Sequence, residues 1–180
     1  TDTGEPSGTL TEDAIAVIVA HKVPEDAIVC DEGVTSARRF FALSAFSAPH
    51  DLIMQTGGAI GDGIPLATGA AIACPDRKVI CLQADGSAMY NIQGLWTQAR
   101  ENLDIVTVIF SNRTYAILHA EMRNVGVGEI GTNARQMLNL DNPALDWVSL
   151  ARGLGVEAAV ATSCEAFAAL FSAALSRRGP

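Results

Sequence analysis

Asp85-Gly86-Ser87 and Ser111-Asn112 carry polar groups that can act together at one site. Asp85 follows a short apolar run, Val79 to Ala84, and Asn112 follows another, Ile105 to Phe110; both runs read as buried strands. Between them Ile92, Leu95, Trp96 and Ala99 recur at helical spacing. A strand-helix-strand of this length makes a right-handed crossover and lays its strands parallel. If the strands are neighbours their tips lie about 5 Å apart. Asp85 and Asn112, 27 positions apart in sequence, can then bind one ion. Mg²⁺ takes one or two carboxylates together with carbonyls, water and phosphate oxygens. Gly86 lets backbone come close to such a phosphate, and Ser87 offers a hydroxyl and an N–H. The pattern points to a Mg²⁺-diphosphate site, whereas Asp85 taken alone reads as a helix cap at a strand-to-helix turn.

Helices and strands alternate along the chain around these residues. Thr9 and Glu12 match a capping box that opens a helix through Ile15, Ile18 and Val19, stopped by Pro24. Ala27 to Cys30 reads as a strand with Asp31-Glu32-Gly33 at its tip, and Thr35-Ser36 open the next helix. Asp51 to Gln55 is another strand, followed by the Gly57–Gly63 segment and a Gly/Ala-rich helix to about Cys74. Arg123 to Asn142 is polar and lacks periodicity. Pro143 introduces a helix over Leu145, Val148 and Leu150, Val156 to Ala161 reads as a strand, and Thr162-x-x-Glu165 caps a last helix. The alternation predicts an α/β fold, a doubly wound parallel sheet with helices on both faces, which binds ligands at the carboxyl ends of its strands.

At 180 residues a single domain is expected. Hydrophobic residues make up 49% and charged residues 18%, an apolar excess that predicts surface meeting another domain or subunit. No apolar run reaches the roughly 20 residues that span a bilayer. A net charge of −8 argues against nucleic acid and anionic membranes as partners. Cys30, Cys74, Cys81 and Cys164 show no C-x-x-C spacing and read as reduced, packed thiols, which fits a cytoplasmic protein. No signal peptide is visible, and residues 1–8 read as a flexible linker from an upstream domain, with 9–180 as the domain itself, trimmed at both ends.

Ala84-Asp85-Gly86-Ser87 through Asn112-Arg113-Thr114-Tyr115 resembles the Gly-Asp-Gly…Asn signature of thiamine-diphosphate (ThDP) enzymes, with Ala84 in place of the first glycine. The likeness runs along nearly the whole chain. It is nearest to the C-terminal, pyrophosphate-binding domain of acetolactate-synthase-like large subunits and benzoylformate-decarboxylase-like enzymes. It implies Asp85, Asn112 and the Thr114 carbonyl as Mg²⁺ ligands, with Gly86, Ser87 and Tyr115 along the diphosphate. Thr35 and Ser36 are implied either to hydrogen-bond that diphosphate or to cap their own helix. Gly57–Gly63 has neither dinucleotide-fingerprint nor P-loop spacing. It resembles the ThDP segment whose Gly58 carbonyl and Ile60 N–H face the aminopyrimidine, with Ala59 between them and Ile60 wedged under the cofactor. Tight packing of a helix start on the sheet is the alternative. Glu32 is placed near the cofactor.

By the same resemblance Ala116, Ile117 and Leu118 enter the pocket of a 2-keto acid substrate. Leu118 stands where pyruvate decarboxylases carry a proton-managing glutamate, so simple pyruvate decarboxylation is disfavoured. His119-Ala120-Glu121-Met122 departs from the run that follows in authentic acetolactate synthases. His119 and Glu121 are either acid–base groups or partly exposed helix residues. No catalytic residue is assigned to this chain, because the activating glutamate of the family lies on a separate pyrimidine-binding domain of the same or a neighbouring subunit. The resemblance therefore implies a homodimer or homotetramer and leaves open an FAD in a middle domain of the parent protein. A scaffold domain without catalysis is the alternative of a different class.

Overall fold

The computed structural model describes residues 4–180. Four parallel strands form the sheet: β1 (Ile28–Glu32), β2 (Asp51–Met54), β3 (Val79–Ala84) and β4 (Ile105–Phe110), in the order β2-β1-β3-β4. Around them lie α1 (Glu12–Lys22), α2 (Arg38–Leu43), α3 (Gly63–Ala73), α4 (Asp85–Asn91), α5 (Gly94–Arg100), α6 (Ala116–Asn124), α7 (Thr132–Leu138), α8 (Trp147–Gly153) and α9 (Cys164–Leu175).

Side chains of a strand point alternately to its two faces, and the central strands are apolar on both. Val29, Ile80, Leu82, Val106 and Phe110 pack with Ile18 and Val19 of α1, Phe40 of α2 and Phe167 and Phe171 of α9. Ile28, Cys30, Val79, Cys81 and Ile105 pack on the other side with Ile64 and Ala67 of α3, Leu95 of α5 and Ala151 of α8. Helices thus cover both faces, as the alternation predicts. Full burial of a side chain such as Phe40 contributes roughly 1.5–3 kcal/mol.

Several local expectations are corrected. Thr9 does not cap α1; Thr11 does, accepting the Ala14 N–H at 3.1 Å, while Thr9 bridges to Ser163. The last helix is capped by Ser163 rather than Thr162. Both capping-box glutamates are drawn to distant partners: Glu12 accepts from the Ser36 hydroxyl at 2.8 Å and Glu165 from the Gly8 N–H at 2.7 Å. The single helix expected between β3 and β4 is two helices, α4 and α5, with Ile92 and Gln93 between them. Within Arg123–Asn142, where the sequence shows no periodicity, α6 runs to Asn124 and α7 forms a further helix. Val156–Ala161 forms no strand; Val156 and Ala158 pack against the core without joining the ladder of β4. Of the expected linker, residues 1–3 lie outside the described residues, and Glu5 pairs with Lys22 at 2.9 Å. Among the described residues no helix is long and apolar enough to cross a membrane.

These caps give a test by chemical denaturation. Thr11→Ala and Ser163→Ala are each expected to cost about 1 kcal/mol of unfolding free energy, whereas Thr162→Ala should stay within about 0.5 kcal/mol of the parent.

Candidate functional site

The chain runs from β1 through α2 to β2 on one side and returns from β2 through α3, past β1, to β3 on the other, so the order β2-β1-β3-β4 has its switch point between β1 and β3. Open α/β sheets hold ligands in the crevice outside the strand ends at such a point. The registers Glu32↔Gln83 and Ala84↔Phe110 bring together the ends of β1, β3 and β4. Asp85 and Asn112 therefore follow the tips of adjacent parallel strands, the premise on which their pairing rested.

Asp85 is the first residue of α4 and is only 2% exposed. Its Oδ1 accepts the Gly86 N–H at 2.8 Å and its Oδ2 the Arg113 N–H at 2.7 Å, so the carboxylate ties the β3–α4 turn to the β4–α6 turn. Burial pushes its pKa up, opposed by those two backbone hydrogen bonds. Arg113 takes a left-handed φ of 58°. Asn112 is exposed, and its Oδ1 accepts the Thr114 N–H at 3.1 Å. Thr114 donates its hydroxyl to the Leu138 carbonyl at 3.1 Å and pairs with Asn139. The Tyr115 ring lies on Gly86: a Cβ there would come within 2.8 Å of Tyr115 Cδ1. A side chain at position 86 would therefore have to displace that ring.

Ser87 departs from expectation. It is 3% exposed, and its hydroxyl donates inward to the Ala84 carbonyl at 3.1 Å while accepting from Gln83 Nε2 at 2.6 Å. Ser36 is likewise committed to Glu12, and helix α2 begins only at Arg38, so neither Thr35 nor Ser36 opens it. Thr35 sits half-buried in the turn after β1. Gly58, Ala59 and Ile60 are exposed, with Gly57, Gly58 and Gly61 at φ of 64°, 73° and 93°. Ile117 and Leu118 are exposed on the first turn of α6, beside half-buried Ala116. His119 lines an open depression of about 540 Å³ together with Asn112, Thr114 and Ala116 and with Arg113, Arg123, Asn139 and Asp141.

Sequence reasoning gave Glu32 no role and overlooked Gln83. Glu32 is 1% exposed and accepts from the N–H groups of Gly61 and Gly63 and from Gln83 Nε2. A polar residue inside the otherwise apolar run Val79–Ala84 was the available signal.

The donor set suits a hard divalent cation bound with a diphosphate. One buried carboxylate keeps a free lone pair on each oxygen after its backbone hydrogen bonds, and an amide oxygen and a main-chain carbonyl stand on the adjoining turn. No group of three or more His, Cys, Asp or Glu that could hold a metal by itself occurs among the described residues.

Comparison with known proteins agrees with this architecture. The profile of the family described as thiamine pyrophosphate enzyme, C-terminal TPP binding domain, matches residues 33–180. The chain belongs to that family. It is 48% identical over 97% of its length to the Mycobacterium tuberculosis protein named "Putative acetolactate synthase large subunit IlvX" and covers 34% of that protein. It is 32% identical over 98% of its length to a benzoylformate decarboxylase of Pseudomonas aeruginosa, covering 32% of it. The structure of the ThDP-dependent 4-hydroxybenzoylformate decarboxylase of Rhodococcus jostii RHA1 superposes over the whole chain with a TM-score of 0.83 at 31% identity, covering 32% of that enzyme. The chain thus spans about a third of the length of these relatives.

Burial of two thiols beneath this end of the sheet has a measurable consequence. Burial, helped by the charge of Asp62, pushes the Cys30 thiol up from 9.0 to about 12, and burial pushes Cys81 up as well. At pH 8 a thiol of pKa 12 is ionised in about one molecule in 10,000. Iodoacetamide at pH 8 should alkylate half-buried Cys74 in the folded protein and spare Cys30 and Cys81, all becoming reactive on unfolding. The unfolded thiols ionise first, so the two cysteines should make stability fall as the pH rises from about 9 towards about 12.

Proposed function

We propose that this chain holds the Mg²⁺ and the diphosphate of ThDP in an acetolactate-synthase-like enzyme that decarboxylates a 2-keto acid and ligates the product to a second carbonyl compound. The observation that carries this is the Asp85 carboxylate, buried and fixed by two backbone N–H groups on a strand tip adjacent to that of Asn112. Asp85, Asn112 and the Thr114 carbonyl would hold the metal. Gly86, the Ser87 backbone, Thr35 and Tyr115 would border the diphosphate. Gly58, Ala59 and Ile60 would meet the pyrimidine, with Ala116 and Ile117 towards the substrate. When bound, ThDP supplies a carbon nucleophile that adds to a 2-keto carbonyl and accepts the electron pair released with CO₂. This chain's residues bind and orient it.

Met54 at the tip of β2 and Ile60, Met89, Tyr90, Ile117 and Leu118 on segments that follow the strands are exposed. Their exposure supports a pyrimidine-binding domain, of the same or a partner subunit, closing over that end in a cytoplasmic homodimer or homotetramer. The likeness to benzoylformate decarboxylases over nearly the whole chain favours a second reading, a 2-keto acid decarboxylase that releases an aldehyde. Product analysis of the full-length protein with pyruvate and with benzoylformate separates the two.

Calorimetric titration tests the metal assignment. Asp85→Asn in the full-length protein is expected to weaken Mg²⁺-dependent ThDP binding at least a hundredfold, about 2.7 kcal/mol. Asp76→Asn, in the turn at the opposite end of β3, should leave it unchanged. Equal affinity in the two variants would remove Asp85 from the site. Ile117→Phe should change which 2-keto acid is accepted, read as kcat/KM, with ThDP affinity held within about tenfold.

A further inference from the structure

We propose that Glu32 and Gln83 form a buried positioning relay that sets the Gly57–Gly63 segment for the organic ring of the cofactor and locks it to the turn that carries Asp85. The inference rests on the ThDP-binding reading and assigns these two residues a part in it.

Glu32 and Gln83 are opposite one another on paired strands and are 1% and 0% exposed. Both point to the α3 face of the sheet, the side of Cys30 and Cys81. The Glu32 carboxylate takes up the N–H groups of Gly61 and Gly63 through separate oxygens, at the start of the eleven-residue helix α3. Its own N-cap residue does not cap that helix: Asp62 stands there without a capping hydrogen bond. Glu32 therefore supplies the negative charge and the acceptors that the free N–H groups of a helix start require. Those two hydrogen bonds lie 29 and 31 positions away in sequence and are what Glu32 contributes to the conformation of the segment.

Gln83 carries the connection onward. Its Nε2 donates to Glu32 Oε2 at 3.1 Å and to the Ser87 hydroxyl at 2.6 Å, and that hydroxyl donates to the Ala84 carbonyl. The chain of hydrogen bonds thus runs from the Gly61 and Gly63 amides to the first turn of α4, where Asp85 sits. Close packing enforces it: a Cβ on Gly63 would overlap Gln83 Oε1 and lie 2.7 Å from Glu32 Oε2. Other links hold the segment from outside, as Asn91 donates to the Gly61 carbonyl and Gln55 to that of Ala59. Among the described residues, the Glu32–Gln83 pair is the hydrogen-bonded connection that runs from the segment to the first turn of α4. A buried carboxylate surrounded by donors is intolerant of an amide, since Glu32→Gln turns an N–H₂ group against one of three donors.

Hydrogen exchange and ligand binding of the full-length protein test the relay together. Glu32→Gln should raise amide exchange at Gly61 and Gly63 at least tenfold while leaving the amides of β3 and β4 protected. It should weaken ThDP at least tenfold, about 1.4 kcal/mol, and leave inorganic diphosphate with Mg²⁺ within twofold of the parent. A general loss of structure would weaken both ligands, so the split identifies positioning. Should Glu32→Gln fail to fold, Gln83→Met removes the connecting donor while leaving Glu32 its backbone partners, and the same split is expected. Unchanged exchange at Gly61 and Gly63 in Glu32→Gln, or an equal loss of both ligands in whichever variant folds, overturns the relay. Failure of the parent protein to bind ThDP sinks the functional reading instead, and the exchange result then still decides whether Glu32 holds the segment.

Discussion

Strand β3 runs between β1 and β4 in parallel register, and its residue-by-residue pairing decides what its last side chains meet. Glu32 and Gln83 stand side by side, and one step further Ala84 pairs with Phe110. Side chains alternate with a period of two, so a slip of one residue would send Gln83 to the face of α1 and α9 and put an aliphatic side chain against the Glu32 carboxylate. Val79 and Cys81 on one face and Ile80 and Leu82 on the other, all at most 1% exposed, hold the register against that slip. The apolar core of both faces thus fixes the positions of a few polar groups beyond it.

Those polar groups are held by backbone rather than by opposite charges. Burying a carboxylate costs several kcal/mol unless hydrogen bonds replace its water. Asp85 has two backbone N–H donors and Glu32 has two with the Gln83 amide besides. The opposite end of the sheet is built differently. There Arg77 pairs with Asp51 at 2.8 Å and donates to the Asp26 and Ala27 carbonyls, and Lys78 pairs with Asp104. Ion pairs tie the entrances of the strands together, whereas their exits present carboxylates whose acceptor capacity is only partly used.

The sequence made the strands and the Asp85–Asn112 pairing legible because those features are local runs and fixed spacings. It misplaced both helix caps by one or two residues for a reason outside any local pattern. Thr9 and Thr162 each have a glutamate three positions on, which satisfies the capping-box spacing. Ser36, 24 positions from Glu12, and Gly8, 157 positions from Glu165, claim those glutamates instead. Ser87 shows the same limit, since its type suited a phosphate but Gln83 on the preceding strand turns the hydroxyl inward. Val156–Ala161 has strand composition, yet a strand also needs a partner ladder, and this segment packs against the core without joining one.

Charge gives the strand exits their chemical character. Asp31, Glu32, Asp62 and Asp85 gather there, and none of them has an ion pair with a lysine or arginine among the described residues. Arg113 gives Asp85 its backbone N–H, while its side chain borders the depression beside α6. Burial raises the pKa of both Asp31 and Asp85, the response of carboxylates short of compensating charge. A phosphate approaching this end of a chain of net charge −8 meets repulsion from those groups. A divalent cation on Asp85 reverses the local sign and would draw both the carboxylate and the phosphate oxygens to itself. Metal and diphosphate binding would then be coupled, each weak without the other, with Asp85 as the group through which they interact.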